Sequence, residues 1–241
     1  MTTLLRALWL FPFALQLGRV ASLLSFTTPE RVGRLVQLRA CDGQKEDLPC
    51  CPSSNFPLEF FKTPGNSDTP HNFGPASPLD TILYTAEQPG KSCRQRDDDK
   101  ISAASVQEWI QFVRGQGVTN VVTLLNEDEL DVYEEPGLKE LLTQAGMSCY
   151  IAPMGDLGAC DRVFDVVRQV EADGEKVVCH CTGGIGRAGR VAAAWLVHRY
   201  NLSPEVATLI VLDQAYKSGV KRLGHTEKLS GWIGYDYGFA T

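Results

Sequence analysis

The 241-residue sequence has no surplus of positive charge: 23 lysines and arginines stand against 29 aspartates and glutamates, for a net charge of −6. Nucleic-acid-binding surfaces are usually basic, so that class of partner is not expected. Nor is a stable membrane span expected. The apolar run ALWLFPFALQLG, from Ala7 to Gly18, falls well short of the ~20 residues that a spanning helix needs. Eight cysteines are present, but they follow neither a disulfide framework nor the paired spacing of a zinc site. No metal and no cofactor is expected. No internal repeat is visible. Acidic residues are missing from the first forty positions except for Glu30, whereas Arg6, Arg19, Arg31, Arg34 and Arg39 all lie there.

A short apolar run among arginines reads over residues 1–40 as a targeting segment, organellar or secretory with the destination open, or else as an N-terminal helix packed on the domain. Without such an address the chain is expected in the cytoplasm. Residues 41–78 carry Pro49, Pro52, Pro57, Pro64, Pro70, Pro75 and Pro78 among Gly, Ser, Asn and Asp, and read as a linker. Over residues 79–241 the pattern changes. Residues 81–84, 119–125, 147–153 and 176–180 are apolar stretches of strand length. Between them Val106, Trp109, Ile110 and Val113 follow helical spacing, behind the cap candidates Ser102 and Ser105, with Glu108 completing a capping box on Ser105. Helices are also expected over 138–145, 161–172 and 187–200, from Ser203 and Pro204 onward, and around 226–233. Such alternation implies an α/β fold, a mostly parallel central sheet with helices on both faces. Ligands of such sheets bind outside the carboxyl ends of the strands.

The stretch VVCHCTGGIGRAGR, Val177 to Arg190, ends one of those strands and begins a helix. Five residues separate Cys181 from Arg187: Thr182, Gly183, Gly184, Ile185 and Gly186. Glycines let successive backbone N–H groups turn toward one point. The helix N-terminus adds unsatisfied donors and the positive end of its dipole. Arg187, in the first turn, is placed to fork two N–H bonds onto a phosphate. Cys181 lies in the same positive field, which favours a thiolate. The stretch therefore reads as a phosphate cradle with a nucleophile at its base. A Walker loop is excluded, because Arg187 and Ala188 stand where Lys and Ser or Thr are required.

His180, Cys181 and Arg187 match the His-Cys-five residues-Arg signature of the cysteine-dependent protein tyrosine phosphatases. From about Leu79 to the C-terminus the chain resembles their small dual-specificity type, the group that includes the cyclin-dependent-kinase-inhibitor-3-like phosphatases. The resemblance implies the cysteine phosphatase fold and a protein phosphatase acting on phosphotyrosine, with phosphoserine and phosphothreonine as further candidates, through a phosphocysteine intermediate. It implies a phosphorylated protein as substrate. Cys181 is then the nucleophile, Thr182–Gly186 and Arg187 hold the phosphate, and His180 orders the cradle. Asp156, in the loop Gly155-Asp156-Leu157-Gly158, matches by position the family's general acid. Its rival Asp161 is explained by N-capping of the next helix. Cys179, on the same strand face as Cys181, reads as a packed core thiol. Lys221 and Arg222 read as pocket rim or as a solvated pair.

One residue departs from the pattern. The family usually has Ser or Thr directly after the Arg, where a hydroxyl assists breakdown of the phosphoenzyme; here that residue is Ala188. The loop also resembles that of the glucan phosphatases, which share this Ala. It contains no Lys, which disfavours the inositol-lipid phosphatases. Two alternatives stay open: a glucan or small-phosphoester phosphatase, and a catalytically weak phosphate-binding module.

Overall fold

The computed structural model describes residues 69–91 and 100–235. The expected targeting segment, and the expected linker up to residue 68, lie outside the described residues. The chain enters with a single 3-10 turn, Pro70–Asn72, and five strands follow: β1 Gly74–Pro75, β2 Leu83–Glu87, β3 Asn120–Thr123, β4 Ser148–Ile151 and β5 Val177–Cys181. Helix α1, Ala103–Gly115, joins β2 to β3. Helices α2, Glu127–Leu130, and α3, Leu138–Gln144, join β3 to β4. Helix α4, Ala159–Ala172, leads to β5, and α5, Gly186–Tyr200, leaves it. Helices α6, Pro204–Lys217, and α7, Thr226–Ile233, complete the domain.

The sheet order is β1-β2-β5-β3-β4. All pairs are parallel except β1 with β2, so the expected mostly parallel α/β sheet is the one observed. Strand β5 is central, and all five of its residues are buried. Its side chains alternate between two cores. Cys179 and Cys181 face one that holds Val163, Phe164 and Val167 of α4 and Ala188, Val191 and Trp195 of α5. Val178 faces the other, with Val106, Trp109 and Ile110 of α1. Covering both faces leaves the carboxyl edge as the place where the backbone stays open.

Local sequence explains most boundaries. Ser102 caps α1 by accepting from the Ser105 N–H at 3.2 Å, so the cap is Ser102 and the expected capping box on Ser105 is not formed. Ser203 accepts from the Val206 N–H at 3.4 Å ahead of Pro204, a residue pre-set for a first helical turn.

Two expectations need correction. Residues 69–78 are not linker: β1 pairs with β2, Gly74 opposite Thr85, and Phe73 and Ala76 are buried. Proline was no obstacle, because Pro75 lies on an edge strand that needs no further partner. Lys221 and Arg222 are not a solvated pair, since both are buried.

Asp80 fastens β2 to α5. Its Oδ2 accepts from Trp195 Nε1 at 3.1 Å and from the Tyr200 hydroxyl at 3.2 Å. Its Oδ1 accepts from the Ile82 N–H at 3.2 Å. Asp80→Ala leaves the buried indole donor unpaired and is expected to lower stability by about 2–3 kcal/mol. A urea titration checks this, with a lower midpoint at an unchanged slope.

Candidate active site

The last residue of β5 is Cys181, 3% exposed. Residues 182–185 form an irregular loop, and α5 begins at Gly186. The turn is tight enough to require glycine at one point. Gly184 has φ 68°, and a Cβ there would lie 2.6 Å from the Ala86 carbonyl oxygen. The loop is therefore pressed against the end of β2. Gly189, in α5, likewise lets that helix approach Leu223, whose oxygen would lie 2.7 Å from an added Cβ.

The loop carbonyls are held from outside. Thr182 O accepts from the Gln88 N–H at 3.4 Å, and Ile185 O from the N–H groups of Leu223 at 3.1 Å and Gly189 at 3.2 Å. Gly183 O accepts from Asn72 Nδ2 at 3.0 Å.

Arg187 is held by a carboxylate that sequence reasoning missed. Its Nη1 donates to Glu129 Oε2 at 2.6 Å and to Leu124 O at 3.0 Å. Its Nη2 donates to Glu129 Oε1 at 2.5 Å and to Thr182 Oγ1 at 2.6 Å. This is a two-pronged arginine–carboxylate pair, the geometry that fixes a guanidinium plane. Glu129 also accepts from the Thr182 hydroxyl at 2.7 Å and from the Asn126 N–H at 2.9 Å. The Arg187 hydrogen bond, with those of Asn126 and Thr182 adding, holds the Glu129 carboxyl down at about 2. Glu129 in turn raises the Arg187 value, and Cys181 acts in the same direction. Glu129 follows the carboxyl end of β3, as Asp156 follows β4. That shared edge was the signal available in the sequence.

The structure thus brings Cys181, the loop Thr182-Gly183-Gly184-Ile185-Gly186 and Arg187 together at the carboxyl edge. Asp156 is not joined to them by a hydrogen bond among the described residues. Its carboxylate, 54% exposed, pairs with Arg162 of α4 at 3.2 Å. Asp161 lies inside the first turn of α4, preceded by Gly158 at the N-cap, so capping does not explain it. His180 is fully buried, its ring meeting Trp109 edge to face at 6.0 Å. Neither ring nitrogen has a hydrogen-bond partner among the described residues. Burial, with Arg187 adding, lowers its value to about 3, so the imidazole is neutral at neutral pH. Cys179 is a buried thiol pushed up by that burial, the inert state expected of it. Ala188 is fully buried and brings no hydroxyl.

Two more groups border the cradle. Glu87 pairs in register with Cys181, and burial raises its carboxyl to about 7 against the lowering pull of Lys91 and Arg222. Arg190, one turn beyond Arg187, donates to the Met154 sulfur at 3.1 Å and so touches the segment leading to Asp156. Among the described residues no group of His, Cys, Asp and Glu is arranged to hold a metal.

A family model described as the DSP-PTPase phosphatase of polymorphic toxin systems matches residues 98–201. Cyclin-dependent kinase inhibitor 3 of Rattus norvegicus is 27% identical over 109 residues, covering 43% of this chain and 51% of the relative. The Homo sapiens protein of that name is 28% identical over the same shares. Among solved structures, kinase-associated phosphatase with its catalytic-site cysteine replaced by serine is similar at a TM-score of 0.51 and 22% identity. That match covers 64% of this chain and 88% of the other. Residues 98–201 are thus similar to phosphatases of the dual-specificity type. The chain spans about half the length of the curated relatives it matches. The matched residues 98–201 include Glu129, Asp156 and the whole Cys181–Arg187 loop, but not Asn72, Glu87 or Arg222.

The Glu129–Arg187 pair makes a pH prediction. Glu129 has a lower value folded than its ordinary 4.5, so its contribution to stability is fully present above pH 4.5 and is lost as pH falls through about 2. Urea midpoints measured from pH 5 to pH 2 are expected to fall more steeply for the wild type than for Glu129→Gln. Parallel curves would show that the pair adds no folding stability.

Proposed function

We propose that the domain is a protein phosphatase that hydrolyses phosphotyrosine, with phosphoserine and phosphothreonine in the same substrate class, through a phosphocysteine intermediate. The observation that carries this reading is the convergence of Cys181, the 182–186 loop and the Glu129-braced Arg187 at one sheet edge. In the first step the Cys181 sulfur attacks phosphorus in line. An S–P bond forms, the bond from phosphorus to the leaving oxygen breaks, and Asp156 gives that oxygen its proton. Arg187 and the loop N–H groups hold the equatorial oxygens, whose charge must be balanced throughout. In the second step water attacks phosphorus, the S–P bond breaks, and Asp156 takes the water's proton.

One feature supports a slow second step, and another supports slow turnover in both steps. Ala188 offers no hydroxyl to the departing sulfur, and Asp156 must leave Arg162 before it can serve either step. The same features favour, as a second reading, a phosphate-binding module with weak turnover. A glucan or other small phosphoester is the alternative substrate; comparing phosphopeptide with phosphoglucan hydrolysis separates it from the protein reading.

The deciding experiment is pre-steady-state hydrolysis of an aryl phosphate in reducing buffer. A burst of one equivalent followed by a slow steady rate is expected. Ala188→Ser should raise the steady rate, Asp156→Asn should lower the burst rate by roughly 10²-fold, and Cys181→Ser should abolish both. Absence of both burst and turnover would sink the catalytic reading and leave the binding module.

A further inference from the structure

A phosphate cradle needs its N–H groups aimed inward, and in a planar trans peptide the N–H points opposite to the preceding C=O. Whatever holds a loop carbonyl outside therefore aims the next N–H inside. Thr182 O and Ile185 O are held by main-chain N–H groups, those of Gln88, Leu223 and Gly189. Gly183 O is held by a side chain, Asn72 Nδ2 at 3.0 Å. The next residue is Gly184, whose left-handed φ of 68° and lack of a side chain leave its own peptide little to fix it.

Asn72 is itself closely fixed. It is 5% exposed. Its Nδ2 also donates to Lys221 O at 3.2 Å, and its Oδ1 accepts from the Lys221 N–H at 2.8 Å. Its backbone oxygen accepts from Arg222 Nη2 at 2.8 Å. Arg222, 1% exposed, also donates to Thr85 Oγ1 at 2.7 Å, Thr85 O at 2.8 Å and Lys221 O at 2.6 Å. Both His71 and Asn72 are left-handed, with φ 58° and 47°. Two successive non-glycine residues keep that conformation only where their surroundings impose it, and here it carries the carboxamide to the loop. We propose that Asn72 is a positioning residue of the cradle: by holding the Gly183 carbonyl outward it aims the Gly184 N–H at the bound phosphate. This rests on the phosphate-cradle reading above and adds a residue that lies 111 positions before the loop it serves.

The test uses the full chain in reducing buffer, with inorganic phosphate as the probe, measured by calorimetry and as an inhibitor of aryl phosphate hydrolysis. Asn72→Gly keeps the left-handed backbone and removes the donor. Asn72→Asp keeps the Oδ1 acceptor for Lys221 and removes the donor. Both are expected to weaken phosphate binding at least tenfold. Asp80→Ala, which loosens the fold away from the loop, is expected to lower the melting temperature with phosphate affinity within twofold of wild type. Affinity within twofold of wild type in Asn72→Gly, or an equal loss in Asp80→Ala, overturns the proposal. If neither Asn72 variant folds, the wild-type amide spectrum decides. A large Gly184 shift on phosphate addition is the expected result, and an unmoved Gly184 resonance overturns it. A wild type that binds no phosphate sinks the cradle reading itself. A wild type that binds phosphate equally with its Asn72→Gly variant sinks only the role of Asn72.

Discussion

The carbonyls of a tight strand-to-helix loop must find donors elsewhere, because a buried carbonyl without a partner is costly. That constraint ties the 182–185 loop to three distant segments. Gln88 comes from the end of β2, Asn72 from the turn before β1, and Leu223 from the stretch between α6 and α7. The loop is therefore not a local motif that happens to end a strand. Its shape depends on the register of β2 against β5, which sets Glu87 beside Cys181 and places the Ala86 carbonyl under Gly184. Shifting that register by one residue would exchange the faces of Thr85 and Ala86 and remove the seat for Arg222.

The charges are arranged on the same scaffold. The chain as a whole is acidic, yet Arg187, Arg190 and Arg222 all act electrostatically with Cys181. They are held in different ways. Arg187 is braced by a carboxylate, which fixes its plane while leaving the pair near neutral. Arg222 is surrounded by carbonyl and hydroxyl oxygens, so burial lowers its value only to about 10 and it stays charged at neutral pH. Neutral acceptors satisfy the donors without cancelling the charge, so the positive field at the loop survives burial. Net charge describes the outer surface and is silent about a field of this kind.

The two flanks of the site differ in how firmly they are built. The 182–185 loop grows from a strand buried along its whole length. Asp156 follows β4, an edge strand whose Tyr150 and Ile151 are exposed, and its neighbour Leu157 lies fully in solvent. Its carboxylate is claimed by Arg162 at the surface. Cys181 and the loop after it are thus fixed by the core, while the Asp156 carboxylate is fixed by one solvent-exposed ion pair, a weak tie.

Local chemistry settled much of this protein in advance. Apolar runs of strand length, caps such as Ser102 and Ser203, and the glycines between Cys181 and Arg187 act within a few residues, so the parallel sheet, its helices and the tight turn from β5 into α5 are legible in the sequence. Only the tertiary structure decided which distant groups hold the loop and Arg187. Nothing near Asn72 or Arg222 marks them: one stands in a proline-rich stretch that resembles a linker, the other beside a lysine in what reads as a surface pair. Glu129 lies in the acidic run Glu127-Asp128-Glu129, which names no partner of its own. Their roles come from long-range contacts, Asn72 to Gly183, Arg222 to Thr85 and Glu129 to Arg187, made when β2, β3 and β5 align. A contact between residues more than fifty positions apart leaves no periodicity or spacing to read, because the chain's local preferences are indifferent to it.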